Sequence, residues 1–299
     1  MCQSSNHMAH VGQERLDHPT LIEMATVDQS ATEREHTDMA SPLDHFDRIV
    51  CINLDERPDR WQQMQDTLGP LLGRVKLERF SAVKPDVAQE RVYNGRAGCL
   101  LSHRRVIEAA FNDGLQNVLV LEDDVCFDPD FLAQAQRALA TLEATPWDLF
   151  YLGFTPKAPL VPAGDALLRT FGGSTTHAIA YHRRAMPDLL RWLPEENDVL
   201  RFLSRYKSVD RYYWQALATR LRCYAAAPPV AFQRDGFSDI QQGQTPCNEQ
   251  QAKQAFDEYM TKPLTPMTKL GLHVRVRLRR LGYTVDSLRR SMFRRIKAK

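Results

Sequence analysis

The chain has no C-x-x-C pair. Its six cysteines (Cys2, Cys51, Cys99, Cys126, Cys223 and Cys247) are scattered, and those inside apolar runs read as small buried hydrophobes, so reduced thiols in a cytosolic protein are expected. No apolar run approaches the ~18 residues that a membrane-crossing helix needs. The start, MCQSSNHMAH, lacks a basic stretch followed by an apolar one and has no glycine at position 2, so neither a signal peptide nor a myristoyl group is expected. Formal net charge is only +2, which argues for neither nucleic acid nor membrane on average, and no internal repeat is visible.

What is present is a chain of 299 residues, 43% hydrophobic, enough for one sizeable core with or without mobile ends. The charge is unevenly spread. Before Phe46 acids dominate, while after Leu270 ten arginines and lysines face the single acid Asp286. Residues 1–45 are polar and without periodicity, so a disordered acidic arm is expected there. The chemistry is expected in 46–250, and 251–299 form a basic amphipathic segment.

Between these ends, strand and helix patterns alternate. Arg48 to Leu54 (RIVCINL) reads as a buried strand, followed by a helix with Pro58 in its first turn, Trp61, Met64 and Leu68 at helical spacing, and Gly69 at its stop. Leu100, Ile107, Ala110 and Phe111 mark a second helix that leads into the strand NVLVL. A third helix follows Asp128-Pro129, and WDLFYLG is another strand. PKAPLVPAG reads as a loop, Ser208 as the N-cap of a further helix, and the stretch from about Ile240 to Thr268 as loosely patterned. Such alternation predicts an α/β protein with a mostly parallel, Rossmann-like sheet and helices on both faces.

The strand Val118 to Leu121 runs straight into Glu122-Asp123-Asp124. In an open α/β sheet ligands bind outside the carboxyl ends of the strands, and three adjacent carboxylates are costly to half-bury without compensation. A hard divalent ion, Mn²⁺ or Mg²⁺, with substrate phosphates completing its shell, is the natural compensation. Alternation along the strand end sends Glu122 and Asp124 to one side and Asp123 to the other. The bland alternative is a strand that ends in solvated acids.

INLDERPDR, GRAGCLLSH and VLVLEDDV, in that order and spacing, resemble the leading motifs of glycosyltransferase family 25, which includes lipooligosaccharide and collagen galactosyltransferases. The likeness runs from about Phe46 to Ile240. It implies a GT-A-like fold and an inverting, metal-dependent transfer of a hexose, galactose being the natural choice, from a UDP-sugar to a glycan or lipid-linked hydroxyl. By the same resemblance, Asp124 is the expected metal ligand with Glu122 in support, and Asp123 lies near the donor. Asn53, Asp55, Arg57 and Arg60 are expected to hold the nucleotide, though both arginines also read as solvated helix-start residues. Ser102 and His103 are expected one turn into a helix that follows Gly95 and Gly98, on the donor side, with packing as the alternative for His103.

Asp210, in SVDRYYW, resembles the family's acidic position and is by that likeness the expected base, with Asp239 the next candidate, although an acid in a helix's first turn is favoured by the dipole in any case. His177 and Tyr213 are candidates for the sugar cleft, each with a core role as the alternative. Beyond Leu270, apolar residues at steps of three or four describe a basic helix, although the alternation from Leu270 to Leu278 also permits a strand. That helix fits an anionic membrane surface or packing on the core, with nucleic acid ranked third. A soluble or peripheral protein on the inner face of the membrane is expected. A catalytically silent sugar- or nucleic-acid-binding module, or a metal-dependent phosphohydrolase, remain the competing classes.

Overall fold

The structure is a computed structural model and describes residues 41–88, 91–238, 240 and 243–281. The expectation for the N-terminal arm therefore falls almost wholly outside the described residues, as do Asp239 and the last third of the basic segment. The body reaches back beyond the expected boundary at 46: Pro42–His45 form a 3₁₀ turn capped by Ser41, and Leu43 is fully buried beside Phe46.

In chain order the elements are β1 (Ile49–Asn53), α1 (Pro58–Leu68), β2 (Leu77–Ser81), α2 (Arg91–Asn112), β3 (Asn117–Glu122), β4 (Val125–Phe127) and α3 (Phe131–Glu143). There follow β5 (Leu149–Pro156), β6 (Val161–Gly164), β7 (Leu167–Thr170), β8 (Gly173–His182), α4 (Met186–Trp192), α5 (Val199–Tyr206) and α6 (Val209–Tyr212), which runs on as a π turn over Tyr213–Leu217. Last come β9 (Cys223–Ala226), β10 (Ala231–Gln233), β11 (Gly236–Ser238), β12 (Gly243–Thr245), α7 (Glu249–Met260) and α8 (Pro266–Arg280).

Eight strands form one sheet in the order β2-β1-β3-β8-β5-β9-β7-β6, in which β7 and β8 run against the other six. The α/β class and the mostly parallel central sheet are thus as expected. Strand alternation divides the core into two layers. Val50 and Ile52, Val118 and Val120, and Leu149 and Tyr151 face the layer covered by α2, α4 and α5. Ile49 and Cys51, Leu119 and Leu121, and Phe150 and Leu152 face the layer covered by α1 and α3. The five described cysteines are free thiols.

Several elements differ from the sequence reading. PKAPLVPAG does not stay a loop: its second half is β6, an edge strand, where prolines cost no interior ladder bond. α7 lies inside the Gln-rich stretch, whose helical face buries only Ala252 and so gives almost no periodic signal. Leu270 to Leu278, where a strand was also permitted, lie in helix α8. Its Leu272 and Val276 pack on Ala158, Phe171 and Ala218 while Leu270 and Val274 stay exposed, a division that a strand, which puts all four on one face, would not give.

Gly153, in β5, fixes how β10 crosses the sheet. A Cβ there would lie 1.9 Å from the Ala231 carbonyl oxygen and 2.5 Å from His177 Nε2. Gly153→Ala must therefore push backbone apart, and the expected loss is about 3 kcal/mol, read as a lower urea midpoint at unchanged m-value.

Candidate functional site

The parallel strands β1, β2 and β3 end side by side. Asn53 is in register with Ser81, and Ile52 with Glu122. The start of the antiparallel β8 comes to the same rim, since Leu121 pairs with Ala178. A strand end leaves backbone groups without ladder partners, and this rim carries the polar side chains.

Two clefts open there. The larger, about 700 Å³, is lined by Arg57, Arg60, the 82–85 loop, one face of α2 and all three acids of the E-D-D run. The second, about 450 Å³, is lined by Tyr93, Arg96, Thr175, Thr176, Lys207, Asp210 and Arg211. Cys99, Glu122 and Ile240 line both, so the clefts meet at Glu122.

The three acids have separate surroundings. Asp123 is buried, accepts from Asn53 Nδ2 at 2.7 Å and pairs with Arg60 at 2.9 Å. Glu122 points the other way: its Oε1 accepts from the Thr176 hydroxyl at 2.8 Å and lies 3.6 Å from His103 Nε2. Burial raises the Glu122 carboxyl, but the His103 imidazole and the Thr176 hydroxyl outweigh it and hold the group below its ordinary value. For Asp124 the Arg60 charge and its own backbone N–H offset only part of the burial. Its Oδ1 is buried with no hydrogen-bond partner among the described residues, and burial, then the charges of Glu122 and Asp123, push its carboxyl up to about 7.

That pattern is the fit test for a divalent cation. Of the three acids, Asp124 alone holds a buried oxygen with an unmet demand for positive charge, and a hard ion with oxygen ligands meets it. Asp124, with Glu122 beside it, would hold such an ion. Among the described residues, Cys99, His103 and Glu122 also bring ligand atoms close together. His103 is completely buried, its Nδ1 2.9 Å from the Tyr181 hydroxyl and its Nε2 without a hydrogen-bond partner among the described residues.

Ser102 and His103 line the larger cleft. α2 begins at Arg91, so Gly95 and Gly98 lie within it, and Ser102 and His103 stand about three turns into the helix, not one. Both glycines line the cleft, and Gly98 also serves close packing: a Cβ would sit 2.4 Å from the Val83 carbonyl oxygen. The Ser102 hydroxyl donates to the Gly98 carbonyl at 2.7 Å and accepts from Val83 N–H at 2.8 Å, which fixes the loop that walls the cleft.

Of the residues expected at the nucleotide, Arg57 and Arg60 line the cleft, while Asn53 sits behind it as the support of Asp123. Asp55 does not line it. Its carboxylate binds Arg79 at 2.7 Å and Ser81 at 2.8 Å, and these bonds hold it below the usual aspartate range. Arg57 is held by Asp59 at 2.8 Å.

Asp210 lies in the second cleft. Its Oδ2 accepts from Thr175 N–H at 3.1 Å, and its Oδ1 accepts from the Ser208 hydroxyl. Ser208 stands at the N-cap of α6, yet its hydroxyl serves this carboxylate and not a helix N–H. Thr175 has φ +75°, an outlier for a β-branched residue, and its Oγ1 is buried without a partner among the described residues. Nothing in the sequence flagged Thr175 or Thr176; a register shift where β5 pairs with β8 brings them to the rim.

Two expected cleft residues are corrected. His177 is buried under β10, with Nε2 3.1 Å from the Ala231 carbonyl oxygen, and lines neither cleft. Tyr213 is likewise core, its hydroxyl 3.3 Å from that of Tyr181. Both stand in apolar stretches, where burial decides. Tyr93 is the aromatic residue of the second cleft.

Residues 46–153 match the family model described as glycosyltransferase family 25 (LPS biosynthesis protein). A glycosyltransferase 25 family member of Drosophila pseudoobscura pseudoobscura is 34% identical over 130 residues, covering 36% of this chain and 20% of that one. Procollagen galactosyltransferase 1 of Danio rerio is 30% identical over 130 residues, covering 36% and 21%. The inactive glycosyltransferase 25 family member 3 of Homo sapiens is 31% identical over 129 residues, covering 36% and 22%. The chain thus spans about a fifth of the length of these curated relatives. Among solved structures, a Thermus thermophilus mannose-1-phosphate geranyltransferase aligns at TM-score 0.36 and 16% identity, covering 60% of this chain and 72% of that one. A glycosyltransferase involved in glycosylating the major capsid of PBCV-1 aligns at TM-score 0.30 and 10% identity, covering 60% and 93%.

Proposed function

From a segment, residues 46–153, that carries the glycosyltransferase family 25 signature, we propose that this chain is a divalent-metal-dependent hexosyltransferase. It takes a UDP-sugar, UDP-galactose being the first to test, and transfers the sugar with inversion to a hydroxyl of a glycan or lipid-linked acceptor. The observation that carries this reading is Asp124, a carboxylate with a buried, unpartnered oxygen in one cleft, joined through Glu122 to a second cleft that holds Asp210.

Inversion needs the acceptor hydroxyl to approach the anomeric carbon from the side opposite the leaving diphosphate, and two clefts that share Cys99, Glu122 and Ile240 give donor and acceptor separate places that adjoin. In this reading the nucleotide lies in the larger cleft along Arg57 and the 82–85 loop. A bound Mn²⁺ or Mg²⁺ supplies charge neutralisation of the departing diphosphate. Asp210 accepts the hydroxyl proton, held in place by Thr175 N–H and Ser208. The Thr176 hydroxyl and His103 hold Glu122 at the junction.

The test is thermal stability with UDP and Mn²⁺ together. A rise of several degrees in the wild type, absent in Asp124→Ala, is the expected result, followed by metal-dependent hydrolysis of one UDP-sugar in a donor panel. A relative named inactive gives the second reading its motive: a silent sugar-binding module. Unaltered UDP binding without hydrolysis or transfer across the whole donor and acceptor panel selects it. A cytoplasmic working place belongs to the same proposal, and cell fractionation tests it.

A further inference from the structure

α8 is apolar on two opposite sides. Leu272 and Val276 face inward and are 5% and 4% exposed in the cluster with Ala158, Phe171 and Ala218. Met267, Leu270 and Val274 are 75%, 57% and 47% exposed. At roughly 100° per residue these three fall within about 60° of one another, on the side nearly opposite the Leu272–Val276 seam. Leu281, directly after the helix, is 66% exposed. One seam is enough to anchor a helix, so the second has no function in the described fold.

The charges lie between the two seams. Arg277 and His273 flank one edge of the outer stripe, Lys269 lies further round beside the inner seam and Arg275 lies beyond the other edge, all of them exposed. Lys269, Arg275 and Arg277 have no ion-pair partner among the described residues, and Pro266–Arg280 contains no acid. From Arg275 to the last residue, the sequence adds ten arginines and lysines against one acid, Asp286. An outward apolar stripe edged by uncompensated cations matches a surface that is anionic at its head and apolar just beneath it. A phosphate backbone would match the cations but leave the apolar stripe in water.

We propose that α8 docks this protein on an anionic lipid bilayer, with Leu272 and Val276 holding the helix to the body and Met267, Leu270 and Val274 entering the interface. The inference does not depend on the transferase reading, because the stripe lies on a helix that lines neither cleft.

The test is co-sedimentation of the full chain with vesicles of phosphatidylcholine alone and of phosphatidylcholine with about one-third phosphatidylglycerol. Wild type is expected to pellet with the anionic vesicles, less so in high salt, and to stay in solution with neutral ones. Leu270→Glu with Val274→Glu is expected to lower the anionic partition coefficient at least ~10-fold while melting temperature and UDP binding stay unchanged. No binding to anionic vesicles, or equal binding by the double variant, overturns the proposal. So does a fall in melting temperature for the variant, which would show the stripe covered by the chain itself. A wild-type dimer that the variant converts to monomer would assign the stripe to a second copy and overturns it equally.

Discussion

Asp124→Asn is expected to make the metal-free protein more stable above neutral pH and to abolish transfer. Both effects come from one carboxyl group, raised from the ordinary aspartate range to about 7 by burial and by Glu122 and Asp123. Between those two values the folded state holds a proton that the unfolded chain has released, so stability is greatest at the acid end of the window and falls as pH rises through about 7. An amide carries no charge and removes that loss, on the order of a few kcal/mol at pH 8. Thermal melts in chelator at pH 6 and pH 8 check this: wild type should melt lower at pH 8, and the variant should lose less. Added Mn²⁺ should recover wild type at pH 8 and leave the variant unmoved. Transfer should fall at least ~10³-fold in the variant, since charge neutralisation of the diphosphate is worth several kcal/mol in the transition state.

Asp210→Asn carries the second large effect. The amide keeps the shape that Thr175 N–H and Ser208 surround, so folding and UDP binding should be retained. It cannot accept the acceptor's proton. kcat should drop ~10²–10⁴-fold with donor KM nearly constant, the signature of an interaction made only in the transition state. Steady-state kinetics with donor and acceptor varied separately separate the two quantities. A variant that keeps full kcat would move the base elsewhere, and Asp239, outside the described residues, is the next acid to replace.

The layers of the fold were legible because burial on two sides leaves a plain signature. VLVL and IVCIN are continuous apolar runs, and only a sheet covered on both faces uses them fully. The place of the E-D-D run followed from the same logic, since it directly succeeds such a strand. Less visible was what depends on distant chain segments. That Gly98 also packs against the Val83 carbonyl shows only once the 82–85 loop is in place. Asp55 reads as a nucleotide contact until β2, a strand with no buried residue to announce it, brings Arg79 and Ser81 alongside. His177 lies in β8 and Tyr213 in the turn that packs on Tyr181 of that strand, and both are core. Thr175 and Thr176 carry no motif; only the shifted register of β8 against β5 turns them toward Asp210 and Glu122.

Manganese bound per chain, followed by electron paramagnetic resonance as Mn²⁺ is titrated into the protein with UDP present, tests the account at its centre. One ion per chain in the wild type, with affinity rising between pH 6 and pH 8 as the Asp124 proton is displaced and lost in Asp124→Asn, is the predicted result. Equal manganese affinity in wild type and Asp124→Asn would contradict it.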